Sequence, residues 1–228
     1  GTCFQGFSAP RQRVELLGVE LLGVELLGVE VLGVEVPGLM GYVLGRPGGS
    51  LSNSSSWLGA GAQEQAKVGA NAERKTAAVT DERARATEAV VLHDLRIPLE
   101  GYKANVDHVW VSGNSVIIMD TKQWAGGFYW TLFGKTRLGF KAVPHADKRT
   151  IPAAVNGITK YLADRGIKAK VSTPLLVVWS KNPISSLFYR PAGARFVSGD
   201  VFKRDAVRML PGKKADVNIV RALEELLN

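Results

Sequence analysis

The 228-residue chain has a single cysteine, Cys3. One cysteine closes no internal disulfide, and three histidines without a second cysteine give no zinc-ligand spacing. A disulfide scaffold and a zinc module are therefore excluded, and nothing indicates an oxidising compartment; a cytoplasmic setting is expected. The chain also lacks a Gly-rich phosphate loop, a nucleophile elbow and a dinucleotide fingerprint, so no small-molecule cofactor is expected. A membrane anchor over residues 14–45 would carry Glu15, Glu20, Glu25, Glu30 and Glu35. Each acid costs a few kcal/mol at a bilayer centre, about 2.5–3.5 on insertion scales, which argues against an anchor there.

What is present is basic and unevenly spread. Net charge is +8, yet residues 1–59 hold three Arg and five Glu, a balance of −2, which leaves +10 for the rest. A basic globular domain attracts polyanions, nucleic acid above all, although a basic surface also serves solubility alone.

The N-terminal stretch repeats Val14-Glu-Leu-Leu-Gly18 in units of five, decaying by Val34–Gly38. Five residues advance a helix by about 140°, so the acids spiral over every face, and an odd period alternates them across a strand. Neither geometry gives an apolar side. The segment reads as low complexity, a translated DNA repeat with initiation expected nearer Met40. Residues 45–62, rich in Gly and Ser, read as a linker. Residues 1–62 are thus expected to be an extension, and residues 63–228 the domain.

Residues 63–86 favour a helix, being rich in Ala and charge without Pro. Strands are predicted at 90–97, 105–111 and 115–120, with Gly113-Asn114 as a hairpin turn. Two more follow at 128–133 and 137–142. Ile151, Val155, Ile158 and Leu162 mark one face of a helix over 148–165. Residues 174–180 contain a strand buried on both faces. A short strand at 195–198 and helices near 201–209 and 215–227, the last capped by Asp216, end the chain. This order implies an α/β domain with a mixed central sheet flanked by helices.

The chemistry concentrates at the hairpin. Positions 107 and 120 are symmetric about the 113–114 turn, so Asp107 and Asp120 share a face with Cβ atoms about 5 Å apart. Two such carboxylates repel unless a cation lies between them, and oxygen ligands suit magnesium. Lys122 follows two residues on, on the same face, where its ammonium can orient a water or steady charge on a phosphoryl group. Asp-x-Lys alone is common; opposed acids with this lysine offset are more specific. His108 points to the other face, as a packed or bridging residue. His93 and His145 show no partner in the sequence.

The stretches Gly69-Ala-Asn-Ala-Glu73, Val91-Leu-His-Asp-Leu95, Val106-Asp-His-Val-Trp-Val111 and Ile118-Met-Asp-Thr-Lys-Gln-Trp-Ala-Gly126 resemble the nuclease-related domain, NERD. That family is similar to the PD-(D/E)xK nucleases. The resemblance spans about residues 66–180 and implies a restriction-endonuclease-like core. It implies a catalytic set of Glu73, Asp107, Asp120 and Lys122. Asp107, Asp120 and Glu73 would hold Mg2+, or Mn2+ in its place, and Gly69, Trp124 and Gly126 would support the motif. The family more often has Glu at position 120, and the stretch 145–152 lacks its usual Gln. The implied activity is metal-dependent hydrolysis of DNA in DNA processing or repair, and a homodimer is a common state on this fold. The alternative is a non-catalytic DNA-binding or scaffolding module. Lys135, Arg137, Lys141, Lys148 and Arg149 are candidate DNA-backbone contacts. Phe128, Tyr129, Trp130 and Phe133 form either a stacking platform for bases or part of a core.

Overall fold

A computed structural model of the chain describes residues 40–49, 60–102, 104–133, 135–143, 150–187, 189 and 193–228. The pentapeptide repeat, most of the Gly/Ser segment, His145, Lys148 and Arg149 lie outside the described residues. Eleven strands and four helices run in the order β1 (Val43–Leu44), α1 (Ala60–Arg85), β2 (Val90–Arg96), β3 (Asn105–Ser112), β4 (Ser115–Gln123), β5 (Gly127–Leu132), β6 (Lys135–Leu138) and β7 (Lys141–Ala142). Then come α2 (Thr150–Asp164), β8 (Lys170–Val171), β9 (Leu175–Trp179), β10 (Ile184–Leu187), β11 (Arg195–Ser198), α3 (Gly199–Met209) and α4 (Val217–Glu224). These counts refer to the described residues.

The main sheet has the order β1-β2-β3-β4-β9-β11, with β8 also paired to β4. It is mixed: β2, β3 and β4 are antiparallel neighbours, while β9 runs parallel to both β4 and β11. Gly113 makes the β3–β4 turn at φ 57°, a conformation glycine adopts without a Cβ penalty. Alternation along β3 and β4 then sorts the core into two layers. Val109, Val111, Val116 and Ile118 pack with Ile158 and Leu162 of α2 and Leu223 of α4. Trp110, Ile117 and Met119 point the other way, to Ala84 of α1 and Phe202 and Ala206 of α3. Leu175–Val178 of β9 are buried on both faces, as a strand between two helical layers must be. Asp216 caps α4 by accepting from the Asn218 and Ile219 N–H groups.

A second, four-stranded sheet, β10-β5-β6-β7, branches off after β4. Trp124, Tyr129 and Tyr189 pack beneath it with Leu176 and Val178 of the main sheet. The predicted strand at 137–142 is in fact two, because Gly139 turns the chain at φ 55° between β6 and β7.

Two further differences are instructive. The sequence predicts no structure at 43–49, yet Val43–Leu44 pairs in parallel with β2. Gly45 and Gly48, read as linker glycines, have φ 76° and 77°. A Cβ at Gly45 would lie 2.2 Å from the His93 carbonyl oxygen, and one at Gly48 would lie 3.3 Å from the Ala70 Cβ. Here glycine permits close packing, a property that composition alone confuses with flexibility. The strands β8 and β10 also went unpredicted; Ile-Ser-Ser-Leu of β10 has too little apolar content to read as a strand.

Candidate active site

The β3–β4 ladder runs from Ser112↔Ser115 to His108↔Met119, so Asp107 and Asp120 are next in the same register. Asp107 accepts the Thr121 N–H at Oδ2, 2.6 Å away, which fixes one carboxylate oxygen against the neighbouring strand. The Lys122 ammonium lies 2.8 Å from Asp120 Oδ2 and 3.9 Å from Asp107 Oδ2. It also donates to the Thr121 carbonyl at 3.0 Å. Three acceptor oxygens therefore converge on one cation.

Glu73 reaches the cluster from α1. Thr121 faces that helix and donates to Thr76 Oγ1 at 3.0 Å, and Trp179 Nε1 donates to the same oxygen at 2.9 Å. Glu73 lies three residues before Thr76, on the same helix face. Its side chain is buried, and the Gly48 N–H donates to it.

The electrostatics follow from burial. Burial raises the Glu73 carboxyl from 4.5 to about 7; Lys122 opposes this and Asp94 and Asp120 reinforce it. Burial likewise pushes Asp107 well above the carboxylate range, against Lys122 and with the help of Asp120 and Glu73. For Lys122, burial works against the charge, but Asp107 and Asp120 outweigh it and hold the ammonium above its ordinary value. The carboxylates are short of positive charge even with Lys122 among them.

Asp94 is the residue that sequence reasoning missed. Its flanking pairs, His93↔His108 and Leu95↔Val106, put it opposite Asp107. Asp94, Asp107 and Asp120 thus stand side by side on three adjacent strands. Asp94 is buried at φ 58°, and its Oδ1 accepts from Asn105 Nδ2 at 2.8 Å. An acid inside the apolar run of β2 was the available signal.

His108 faces away from the cluster, as its register predicts. Its Nδ1 lies 2.7 Å from His93 Nδ1, and His93 Nε2 lies 2.9 Å from Asp81 Oδ1. His93 thus has partners that the sequence did not reveal. Burial, His93 and Lys122 together hold His108 well below its ordinary pKa. Gly126 supports the site by fit, because a Cβ there would lie 2.5 Å from the Asn182 Cβ. Trp124 is buried and stacks on Tyr129 at 5.2 Å. Gly69 lies half-buried on α1.

Residues 68–156 match the family model of the nuclease-related domain, NERD. That stretch of the chain is similar to NERD domains. No curated protein and no solved structure matches the chain. The NERD match runs from within α1 to within α2, and so contains Glu73, Asp94, Asp107, Asp120 and Lys122.

Among the described residues, no group of three or more His, Cys, Asp or Glu side chains is placed to hold a metal ion. Magnesium does not need one: it is commonly held by one or two carboxylates, waters and substrate phosphate. The Asp107 and Asp120 oxygens already gather around the Lys122 ammonium, and that donor set fits a small divalent ion. Among the described residues no helix is long and apolar enough to cross a membrane.

The Glu73 environment has a measurable consequence for the metal-free protein. Between pH 4.5 and about 7 the folded state keeps a proton that the unfolded state has lost. The Glu73 contribution to stability is therefore fully present below 4.5 and is lost as pH rises through 7, by about 3 kcal/mol. Urea unfolding in EDTA is expected to show a lower midpoint at pH 8 than at pH 5. Glu73→Gln is expected to flatten that slope.

Proposed function

We propose that this NERD-like domain is a metal-dependent nuclease that hydrolyses DNA phosphodiester bonds. The observation that carries the reading is the convergence of Asp107, Asp120 and the Thr121 carbonyl on the Lys122 ammonium, with Glu73 beside them. Acids this short of positive charge, next to a lysine and inside a basic domain, suit a cation and a phosphodiester together.

Asp107 and Asp120 would hold Mg2+ or Mn2+, with Glu73 as a further carboxylate. The bound ion would supply Lewis-acid polarisation of the phosphate and a lowered pKa for a bound water. Asp107 is oriented for its part by the Thr121 N–H, which leaves its other oxygen free of that bond. Lys122 is placed to hold the attacking water and to offset charge that builds on the phosphoryl oxygens. Raised carboxyl groups at Glu73 and Asp107 favour ligation only once deprotonated, so ion affinity rises with pH.

The test is purified protein with plasmid or branched DNA, with magnesium and with EDTA. Wild type is expected to cleave only with magnesium. Lys122→Ala is expected to lose about 10²-fold in cleavage rate. The same substitution removes a competing cation and should tighten Mn2+ binding by about tenfold, read by calorimetry. Unchanged cleavage in Lys122→Ala rules out this assignment. DNA binding without any cleavage by wild type points instead to a non-catalytic module.

A further inference from the structure

The second sheet has two unlike faces. Tyr129 and Thr136 point inward and are buried, so Tyr129 is a core residue and not part of any stacking platform. Alternation sends Phe128, Trp130 and Leu132 of β5 to the other side, and Phe128 and Leu132 are 44% and 50% exposed. Arg137 of β6 pairs with Trp130 and stacks over its ring at 5.8 Å, and Lys135 pairs with Leu132. Both tips carry aromatics in open solvent: Phe133 is 94% and Phe140 96% exposed. Phe133 holds φ 49°, an uncommon conformation for a bulky residue, at the β5–β6 turn.

Charge decides what kind of partner such a face fits. None of the four strands contains Asp or Glu. Residues 121–143 hold Lys122, Lys135, Arg137 and Lys141 with no acid at all. Large apolar rings exposed on an acid-free, cationic sheet face match a polyanion whose backbone takes the charges and whose bases take the rings. Bases offer their faces only when unpaired; a duplex keeps them stacked inside.

We propose that the outer face of the β5–β6–β7 ribbon binds single-stranded DNA, with bases stacking on Phe128 and Trp130 and the strand's phosphates on Lys135 and Arg137. The ribbon follows in the chain directly after β4, the strand that carries Asp120 and Lys122, through Trp124–Gly126. This proposal deepens the nuclease reading by specifying its substrate as an unpaired strand, and it rests on that reading only for the consequence of binding.

The test separates the two. Fluorescence anisotropy in EDTA, where no cleavage occurs, compares a labelled oligo-dT with a duplex of equal length. The single strand is expected to bind more tightly and to quench tryptophan fluorescence. Phe128→Ala and Trp130→Ala should each weaken oligo-dT binding by about tenfold. Lys135→Gln should lower the salt slope by about 0.7. Phe133→Ala plus Phe140→Ala, at positions with no packing to lose, provides a variant that stays folded and should also bind less. Equal affinity for duplex and single strand overturns the proposal, as does wild-type affinity in all three aromatic variants. So does a concentration-dependent dimer that these substitutions abolish. Binding as expected without cleavage in magnesium sinks only the nuclease reading.

Discussion

Asp107→Asn is expected to make the metal-free protein more stable and to remove nearly all of the proposed metal-dependent cleavage. Asn keeps the size of the side chain and an oxygen for the Thr121 N–H, which Asp107 Oδ2 accepts at 2.6 Å. What it removes is a charge that burial disfavours most, that Asp120 and Glu73 also disfavour, and that Lys122 only partly offsets. At pH 8 in EDTA the variant should gain about 1 kcal/mol, within the range typical of relieving a strained functional site. Loss of a carboxylate ligand should lower metal-dependent cleavage by about 10³-fold, since the ion's charge stabilisation is worth several kcal/mol. Urea unfolding and a cleavage time course on the same preparation check both halves. A structural ion pair would behave oppositely, because breaking one leaves its partner buried and uncompensated.

Trp110→Ala is expected to have the largest effect on stability. Trp110 is fully buried between the sheet and the α1/α3 layer, and its Nε1 donates to the Pro211 carbonyl at 2.9 Å. Truncation leaves a cavity and strands that carbonyl, at a cost of about 3–5 kcal/mol. For a domain of this size the melting temperature should fall by about 10 °C. The ring touches none of the acids, so cleavage per folded molecule should persist below the transition. Calorimetry gives the first result and a rate at 10–20 °C, corrected for folded fraction, the second.

The hairpin was legible because strand alternation and a glycine turn are local. Counting from Gly113-Asn114 is enough to oppose Asp107 and Asp120 and to turn His108 away. The α2 face was legible too, since Ile151, Ile158 and Leu162 recur at helical spacing and all three are buried. Glu73 was not derivable from spacing. Its link to the hairpin passes through Thr76 and Thr121, a contact 45 residues apart in the chain, and only the family resemblance suggested it. Asp94 offered one signal, an acid inside the apolar run of β2, but its place opposite Asp107 depends on the β2–β3 register, which no short turn fixes by counting. The His93–Asp81 and His93–His108 contacts require knowing which helix covers which sheet face. The glycines at 45 and 48 misled because composition does not distinguish a residue chosen for close approach from one chosen for freedom.

Asp107, Asp120 and Lys122 make up the proposed metal-dependent hydrolytic centre. Single-turnover cleavage of a labelled DNA with excess protein and magnesium tests it most directly, with wild type beside Asp120→Asn, each shown folded by circular dichroism. Wild type is expected to cleave in a reaction that EDTA abolishes, and Asp120→Asn at a rate at least about 10³-fold lower. Equal rates in the two proteins would contradict that assignment.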